Sequence, residues 1–187
     1  MTIRPVPGLS ILSRRLAGIE AAVAGLLAAA VAGLILLNVA TRTAGAALFW
    51  VDELAIYAMV WMAFLGMSIT IQRRSGVSVT IFTDSLPQKV HRAAALLVDG
   101  IILAFSLFLV WLCWRWYDPW TLASVSYSVD AFVGETFNFI YREPTQTIGV
   151  AKYCIWLIVP LTAAAMTFHA LANFLEAVRS PQPAPVL

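Results

Sequence analysis

The sequence predicts an all-α membrane protein of four transmembrane helices. Both termini are expected on the cytoplasmic side, with an amphipathic segment in the interface between helices 2 and 3. Three observations carry this: a shortage of charge, four apolar stretches of spanning length, and basic residues gathered at one set of span ends.

Of the 187 residues, 61% are apolar and only 12% are charged, with a mean hydropathy of +0.84. A water-soluble domain carries about 25% charged residues because its exterior must be hydrated. Half that charge leaves much of this exterior facing something other than water. The formal charge of +2 is small and scattered, which excludes a nucleic-acid partner on electrostatic grounds. Cys113 and Cys154 both lie in apolar segments without a CxxC pair, as inert buried thiols do; a disulfide between neighbouring helix ends is the lesser alternative.

A helix crosses the hydrocarbon core in roughly 20 apolar residues. Four stretches suffice, about 16–40, 48–71, 93–117 and 148–172. None shows the two-residue alternation of a barrel strand, so helices are the only way to satisfy the backbone in lipid. The first apolar run is too long for the roughly 7–15 residues of a signal-peptide core. All four belong to one domain, 1–178, followed by a tail, 179–187, whose three prolines predict disorder.

Orientation follows from the positive-inside bias. Arg4, Arg14 and Arg15 precede span 1, Arg73, Arg74, Lys89 and Arg92 crowd the link between spans 2 and 3, and Arg179 follows span 4. The opposite ends carry Arg42, Arg115, Arg142 and Lys152 mixed with acids, beside a belt of Trp50, Trp111, Trp114, Trp116 and Trp120. The tight link Thr41–Ala47 makes spans 1 and 2 antiparallel neighbours. The link Ser75–His91 alternates Val77, Val79 and Ile81, then spaces Phe82, Leu86 and Val90 helically, as an interfacial segment does; an ordinary solvated loop is the plainer alternative. The link 118–147 is long and too aromatic for a disordered linker, and is expected to fold as a cap or docking surface.

Polar and small residues inside the spans bear on function. Ala17, Ala21, Gly25, Ala29 and Gly33 recur every fourth position. They read as a ridge for close helix approach, within the chain or against a partner; alanine-rich composition alone is the bland account. Glu20 and Asp99 stand in apolar helices. An Asp at a span centre costs about 2.5–3.5 kcal/mol, and the eleven Val, Leu, Ile and Phe residues of 96–110 return roughly 0.3–0.6 kcal/mol each, so the span inserts. Asp99 still needs a protein partner, and His169, at similar depth, is a candidate for an intramembrane polar pair. Haem ligation by two histidines would require His91 and His169, the only two present. Metal clusters, phosphate-cradling Gly loops and nucleophile–base sets are absent from the sequence, so no enzyme and no cofactor in this chain are expected.

Span 2 opens Trp50-Val51-Asp52-Glu53-Leu54-Ala55-Ile56-Tyr57 and continues Val60-Trp61-Met62-Ala63-Phe64-Leu65-Gly66 before Arg73-Arg74 and Leu86-Pro87. This run resembles the small membrane subunit, the Q or DctQ-like component, of tripartite ATP-independent periplasmic (TRAP) transporters. Ile56 stands where that family often has Arg, and Gly76 and Thr80 where it often has His and Asp.

The resemblance implies a bacterial inner-membrane scaffold. It would brace a large multi-span subunit that imports small organic acids with sodium, and help a periplasmic substrate-binding protein dock. Sodium coupling would reside in the large subunit. Gly25, Ala29, Gly33, Trp50, Asp52, Glu53, Tyr57, Trp61, Gly66, Arg73 and Arg74 are then the packing or partner candidates. For Asp52 and Glu53, capping of a helix N-terminus at about 0.3–1 kcal/mol is an equal alternative. Two rival functions stay open: a self-sufficient homo-oligomeric transporter using Asp99, and a membrane haem protein.

Overall fold

The computed structural model describes residues 7–74 and 88–179. Seven helices occupy them: α1 Pro7–Thr43, α2 Phe49–Arg73, α3 Gln88–Tyr117, α4 Pro119–Ser124, α5 Val129–Thr136, α6 Lys152–Trp156 and α7 Ile158–Arg179. Four stretches are long and apolar enough to cross a membrane: Gly8–Thr43, Phe49–Arg73, Arg92–Ser124 and Lys152–Arg179. The expected four-span, all-α architecture is therefore present. Among the described residues there is no strand, only one bridge between Pro144 and Ala151. Of the expected interfacial segment, 75–87 lies outside the described residues, as does 180–187 of the tail; 88–91 opens α3.

Helix 1 shows how an apolar chain with few markers still selects one face. Ser13, Ala17, Glu20 and Val31 are buried, and Ala24, Leu27, Leu34 and Asn38 are half-buried. These positions repeat every three or four residues, a seam of average period 3.5 as in a left-handed helix pair. The predicted small-residue ridge has period four. At about 100° per residue each step of four overshoots a turn by about 40°. Four steps from Ala17 carry Gly33 about 160° around the helix. Ala17 therefore lies on the seam, whereas Gly25, Ala29 and Gly33 are exposed. A Cβ built at Gly25 or Gly33 meets nothing within 4 Å. From Gly25 onward the ridge does not pack against the described residues.

The chain divides into two compact units. The first holds the described residues of Met1–Ala22, Leu65–Val110 and Thr162–Leu187. Its core combines apolar positions on α7, Met166 among the small Ala163, Ala170 and Ala172, with fully buried polar ones, Ser68, Ser106, Thr162 and His169. Large aliphatics such as Ile19 and Leu97 point outward. Polar groups inside and aliphatic groups outside is the arrangement lipid favours, since the backbone of a helix is already satisfied and only side-chain dipoles seek partners.

The second unit is Val23–Phe64 with Trp111–Leu161. Here the link after α3 folds as a cap. Asp118, in the left-handed region at φ 38°, turns the chain and caps α4 by accepting from the Thr121 amide at 3.2 Å, with Pro119 at the first helical position. Ser128 opens α5 likewise, and Phe137 at φ 54° closes it. Phe132, Val133 and Ile140 are buried under the cap. Phe132, Tyr141 and Tyr153 meet at centroid distances of 5.3 Å, edge-to-face or tilted. Burial foremost, then the neighbouring Asp118 and Tyr153, raises the Tyr141 pKa. The phenol stays protonated and donates to the Tyr117 carbonyl at 2.6 Å.

The fourth spanning helix begins at Lys152, four residues later than the predicted start at Ile148. Thr145 and Val150 join backbone N–H to carbonyl at 2.8 Å, Lys152 donates to the Glu143 carbonyl at 2.8 Å, and Gly149 supplies φ 77° for the turn between. That hairpin consumes the first apolar residues. The helix then breaks at Leu157, between α6 and α7. Pro160 has no N–H for the Trp156 carbonyl, and its ring crowds that carbonyl.

Candidate functional site

Charged side chains in the described spans form two kinds of cluster, one dry and one wet. The dry cluster lies in the first unit. Ser13 on α1, Glu20 one heptad on, Ser68 on α2 and His169 on α7 are all buried. Ser13 Oγ lies 2.7 Å from His169 Nδ1, His169 Nε2 lies 3.2 Å from Glu20 Oε2, and Ser68 Oγ donates to Glu20 Oε1 at 2.8 Å. A carboxylate can only accept, so Nε2 carries the imidazole proton and Nδ1 accepts from the Ser13 hydroxyl. Both ring nitrogens of His169 are thereby engaged.

The order serine, imidazole, carboxylate is that of a nucleophile with its base. Here the three groups are buried, His169 at 0% and Ser13 at 2% exposure, and each is held by a partner on another helix. The string clamps three helices.

Beside it, Arg74 Nη2 sits 3.0 Å from Asp99 Oδ2 and donates to the Asn173 carbonyl at 2.6 Å, while Asn173 Nδ2 donates to the Ile71 carbonyl at 2.7 Å. The expected Asp99–His169 pair is thus corrected. Asp99 takes Arg74, and His169 takes Glu20 and Ser13. The sequence estimate matched Asp99 and His169 by depth alone. A guanidinium at the end of α2 offers Asp99 a permanent charge, while its Nη2 hydrogen bond goes to the Asn173 carbonyl and Asp99 Oδ2 accepts none among the described residues.

The wet cluster lies in the second unit. Asp52 accepts from Arg42 Nη2 at 2.6 Å and from Asn38 Nδ2, and Arg42 Nε donates to Asn38 Oδ1 at 2.9 Å. This triangle ties the end of α1 to the start of α2. Glu53 faces the other way. It accepts from the amides of Gln146, Thr147 and Ile148 at 2.8, 2.6 and 3.2 Å, from Thr147 Oγ1 at 2.5 Å and from Tyr57 Oη at 2.8 Å. The carboxylate gathers the free amides of the turn before α6. Trp61 Nε1 donates to the Ile155 carbonyl at 2.8 Å, just ahead of the helix break at Leu157.

Asp52, Glu53, Tyr57 and Trp61 therefore work inside the chain, beyond the simple helix capping that sequence offered for the two acids. Trp50 is exposed, Gly66 accepts from Thr70 Oγ1 through its carbonyl, and Arg73 is exposed beside the engaged Arg74. Ser13, Ser68, Asn38 and Arg42 were not singled out by sequence. A seven-residue spacing from Ser13 to Glu20 is the one available signal, since it puts both on one helical face.

Comparison with known proteins agrees with this architecture. A family model described as the DctQ component of tripartite ATP-independent periplasmic transporters matches residues 31–180. The chain is 23% identical over 134 residues to the isethionate TRAP transporter permease protein DctMQ of Oleidesulfovibrio alaskensis, covering 72% of this chain and 18% of that protein. It is 22% identical over 128 residues to the C4-dicarboxylate TRAP transporter small permease protein DctQ of Vibrio cholerae, covering 66% and 55%. To the sialic acid TRAP transporter small permease protein SiaQ of Vibrio cholerae it is 35% identical over 54 residues, covering 29% and 31%. The match thus spans at most about half the length of these relatives. With four spanning helices and a family match over most of its length, this multi-pass membrane protein belongs to the DctQ component family of TRAP transporters, a family of transporter permease subunits rather than of enzymes.

Proposed function

We propose that this chain is the scaffold subunit of a sodium-driven, binding-protein-dependent importer of small organic acids. It braces a large membrane subunit and presents its aromatic cap to the periplasmic binding protein. One observation carries the reading. The two carboxylates buried in the described spans both face partners, Glu20 hydrogen-bonded to Ser68 and His169 and Asp99 in ion-pair contact with Arg74. Meanwhile the face bearing Gly25, Ala29 and Gly33 stands open. A transport site needs an ionisable group free to exchange partners. A bracing surface needs small residues that let a neighbouring backbone come close. The chain has the second and spends the first.

The names of the relatives support the substrate class, since isethionate, C4-dicarboxylates and sialic acid are all small organic anions. The isethionate relative, named a DctMQ permease and matched over only 18% of its length, supports a large membrane partner. Both termini lie in the cytoplasm of a bacterial inner membrane under the positive-inside bias.

The test is reconstitution. Proteoliposomes carrying this chain, its large partner and the binding protein take up substrate under a sodium gradient. Omitting this chain abolishes uptake, and Gly33→Leu weakens co-purification of the large subunit. Uptake by this chain alone, lost on Asp99→Asn, would overturn the scaffold reading in favour of a self-sufficient transporter.

A further inference from the structure

The end of the first unit where α1 begins and α2 and α7 finish holds a pocket of about 90 Å³. Ser10, Arg14, Gln72, Arg73, Arg74 and Glu176 are among its lining residues. Its charge is unbalanced. Of the three carboxylates in the described part of this unit, Glu20 is taken by Ser68 and His169, and Asp99 by Arg74. That leaves Glu176 as the one remaining carboxylate opposite Arg14 and Arg73. Neither Arg14 nor Arg73 makes an ion pair among the described residues.

Helix-end dipoles do not account for the arrangement. Arg73, in the last turn of α2, complements that dipole. Arg14 stands in the second turn of α1, beyond its reach. Arg14 and Arg73 both line this pocket at a span end, together with Ser10 and Gln72. A cavity of this size admits one tetrahedral oxyanion. Guanidinium forks bind such an oxyanion bidentately, and a polar floor supplies further donors.

We propose that this pocket binds the phosphate of an anionic phospholipid headgroup. The aliphatic faces of α1 beside it carry the acyl chains, with Ile11, Leu12 and Ile19 exposed on that helix. A basic pocket between spanning helices at headgroup level has the geometry for this ligand. The inference does not depend on the scaffold reading, because it concerns the chain and lipid alone.

The experiment uses the full chain purified in mild detergent, with phosphatidylglycerol added and bound lipid counted by native mass spectrometry. One phosphatidylglycerol is retained where phosphatidylcholine is not. Arg14→Gln with Arg73→Gln lowers retention about tenfold, the loss of one or two charged hydrogen bonds. Arg15→Gln, a neighbouring exposed arginine outside the pocket, leaves it unchanged. Should the glutamine pair fail to fold, Arg14→Lys with Arg73→Lys carries the same test, because lysine keeps the charge without the fork and gives an intermediate loss.

Three results would overturn the proposal. One is retention unaffected by either pocket pair. Another is an equal loss with Arg15→Gln, which marks diffuse surface charge. The third is displacement of the lipid by inorganic phosphate at equal concentration, which marks a free-anion site.

Discussion

Glu20 in the first unit and Glu53 in the second are built to opposite rules. Glu20 is 5% exposed and takes its hydrogen bonds only from side chains, Ser68 and His169. Glu53 lies at the edge of water and takes most of its bonds from backbone amides of Gln146, Thr147 and Ile148. The difference has one cause. Inside a bundle of helices every amide beyond the first turn is spent on a carbonyl four residues back, so a buried acid can recruit only side chains. Outside it, a turn still has amides to give. The first arrangement is dry and breaks at high cost; the second is local and breaks locally.

The largest expected effect tests the dry side. His169→Ala removes one of the two donors to Glu20 and leaves Ser13 without its acceptor. Leaving a buried carboxylate and a buried hydroxyl each short of a partner costs about 1–3 kcal/mol apiece. Thermal unfolding in detergent should show a loss of that size. Adding Glu20→Leu should recover much of it, since an apolar pair replaces a stranded charge. A loss under about 1 kcal/mol would mean that Glu20 is hydrated, and the contrast with Glu53 would vanish.

Next comes the ion pair nearer the helix ends. Arg74→Met strands Asp99, whose side chain is 9% exposed, and also releases the Asn173 carbonyl. The contact with Asp99 Oδ2 is an ion pair without hydrogen-bond geometry, so about 2 kcal/mol is expected from the charged hydrogen bond to the Asn173 carbonyl. A double-mutant cycle with Asp99→Val should return a coupling of at least about 0.5 kcal/mol. Additive losses would separate the two residues and reopen the question of what satisfies Asp99.

Much of this was legible in the sequence, for reasons that differ by residue. The four spans could be read because lipid imposes length and hydropathy on a helix directly. That Glu20 and Asp99 needed partners could also be read, because burying a lone carboxylate is prohibitive. Who the partners are could not. Depth matching pointed from Asp99 to His169, but the rotation of each helix about its axis decides which neighbours meet, and an apolar helix gives little sign of it. The small-residue spacing on α1 misled for the same reason: a four-residue period drifts off the 3.5-residue seam that packs. Glu53 showed the opposite problem. Its partners sit some 93 to 95 positions along the chain in an irregular turn, and no periodicity announces a turn that folds back to a helix start.

On the wet side the expected effect is smaller and confined. Glu53→Gln replaces one accepting oxygen by an amide nitrogen, which then meets the N–H groups of Thr147 and Ile148 donor to donor. Deuterium exchange at Gln146, Thr147 and Ile148 should accelerate while α2 keeps its protection. If the spanning helices lose protection too, the turn is part of the cooperative core and the two units are not built to different rules.

The smallest effect belongs to a pair whose geometry looks as good as any above. Arg142 Nη2 and Asp130 Oδ1 are 2.7 Å apart, yet their side chains are 54% and 84% exposed. In water the attraction of such a pair is largely cancelled by lost hydration and side-chain entropy, which leaves about 0–1 kcal/mol. Asp130→Asn should therefore shift unfolding by no more than that, and raising the salt should erase what remains. The comparison rests on this control as much as on His169. If a 2.7 Å pair in full solvent cost as much to break as the buried string does, distance alone would set the energy. Burial would then explain nothing about why the chain clamps its helices with Glu20 and only pins a turn with Glu53.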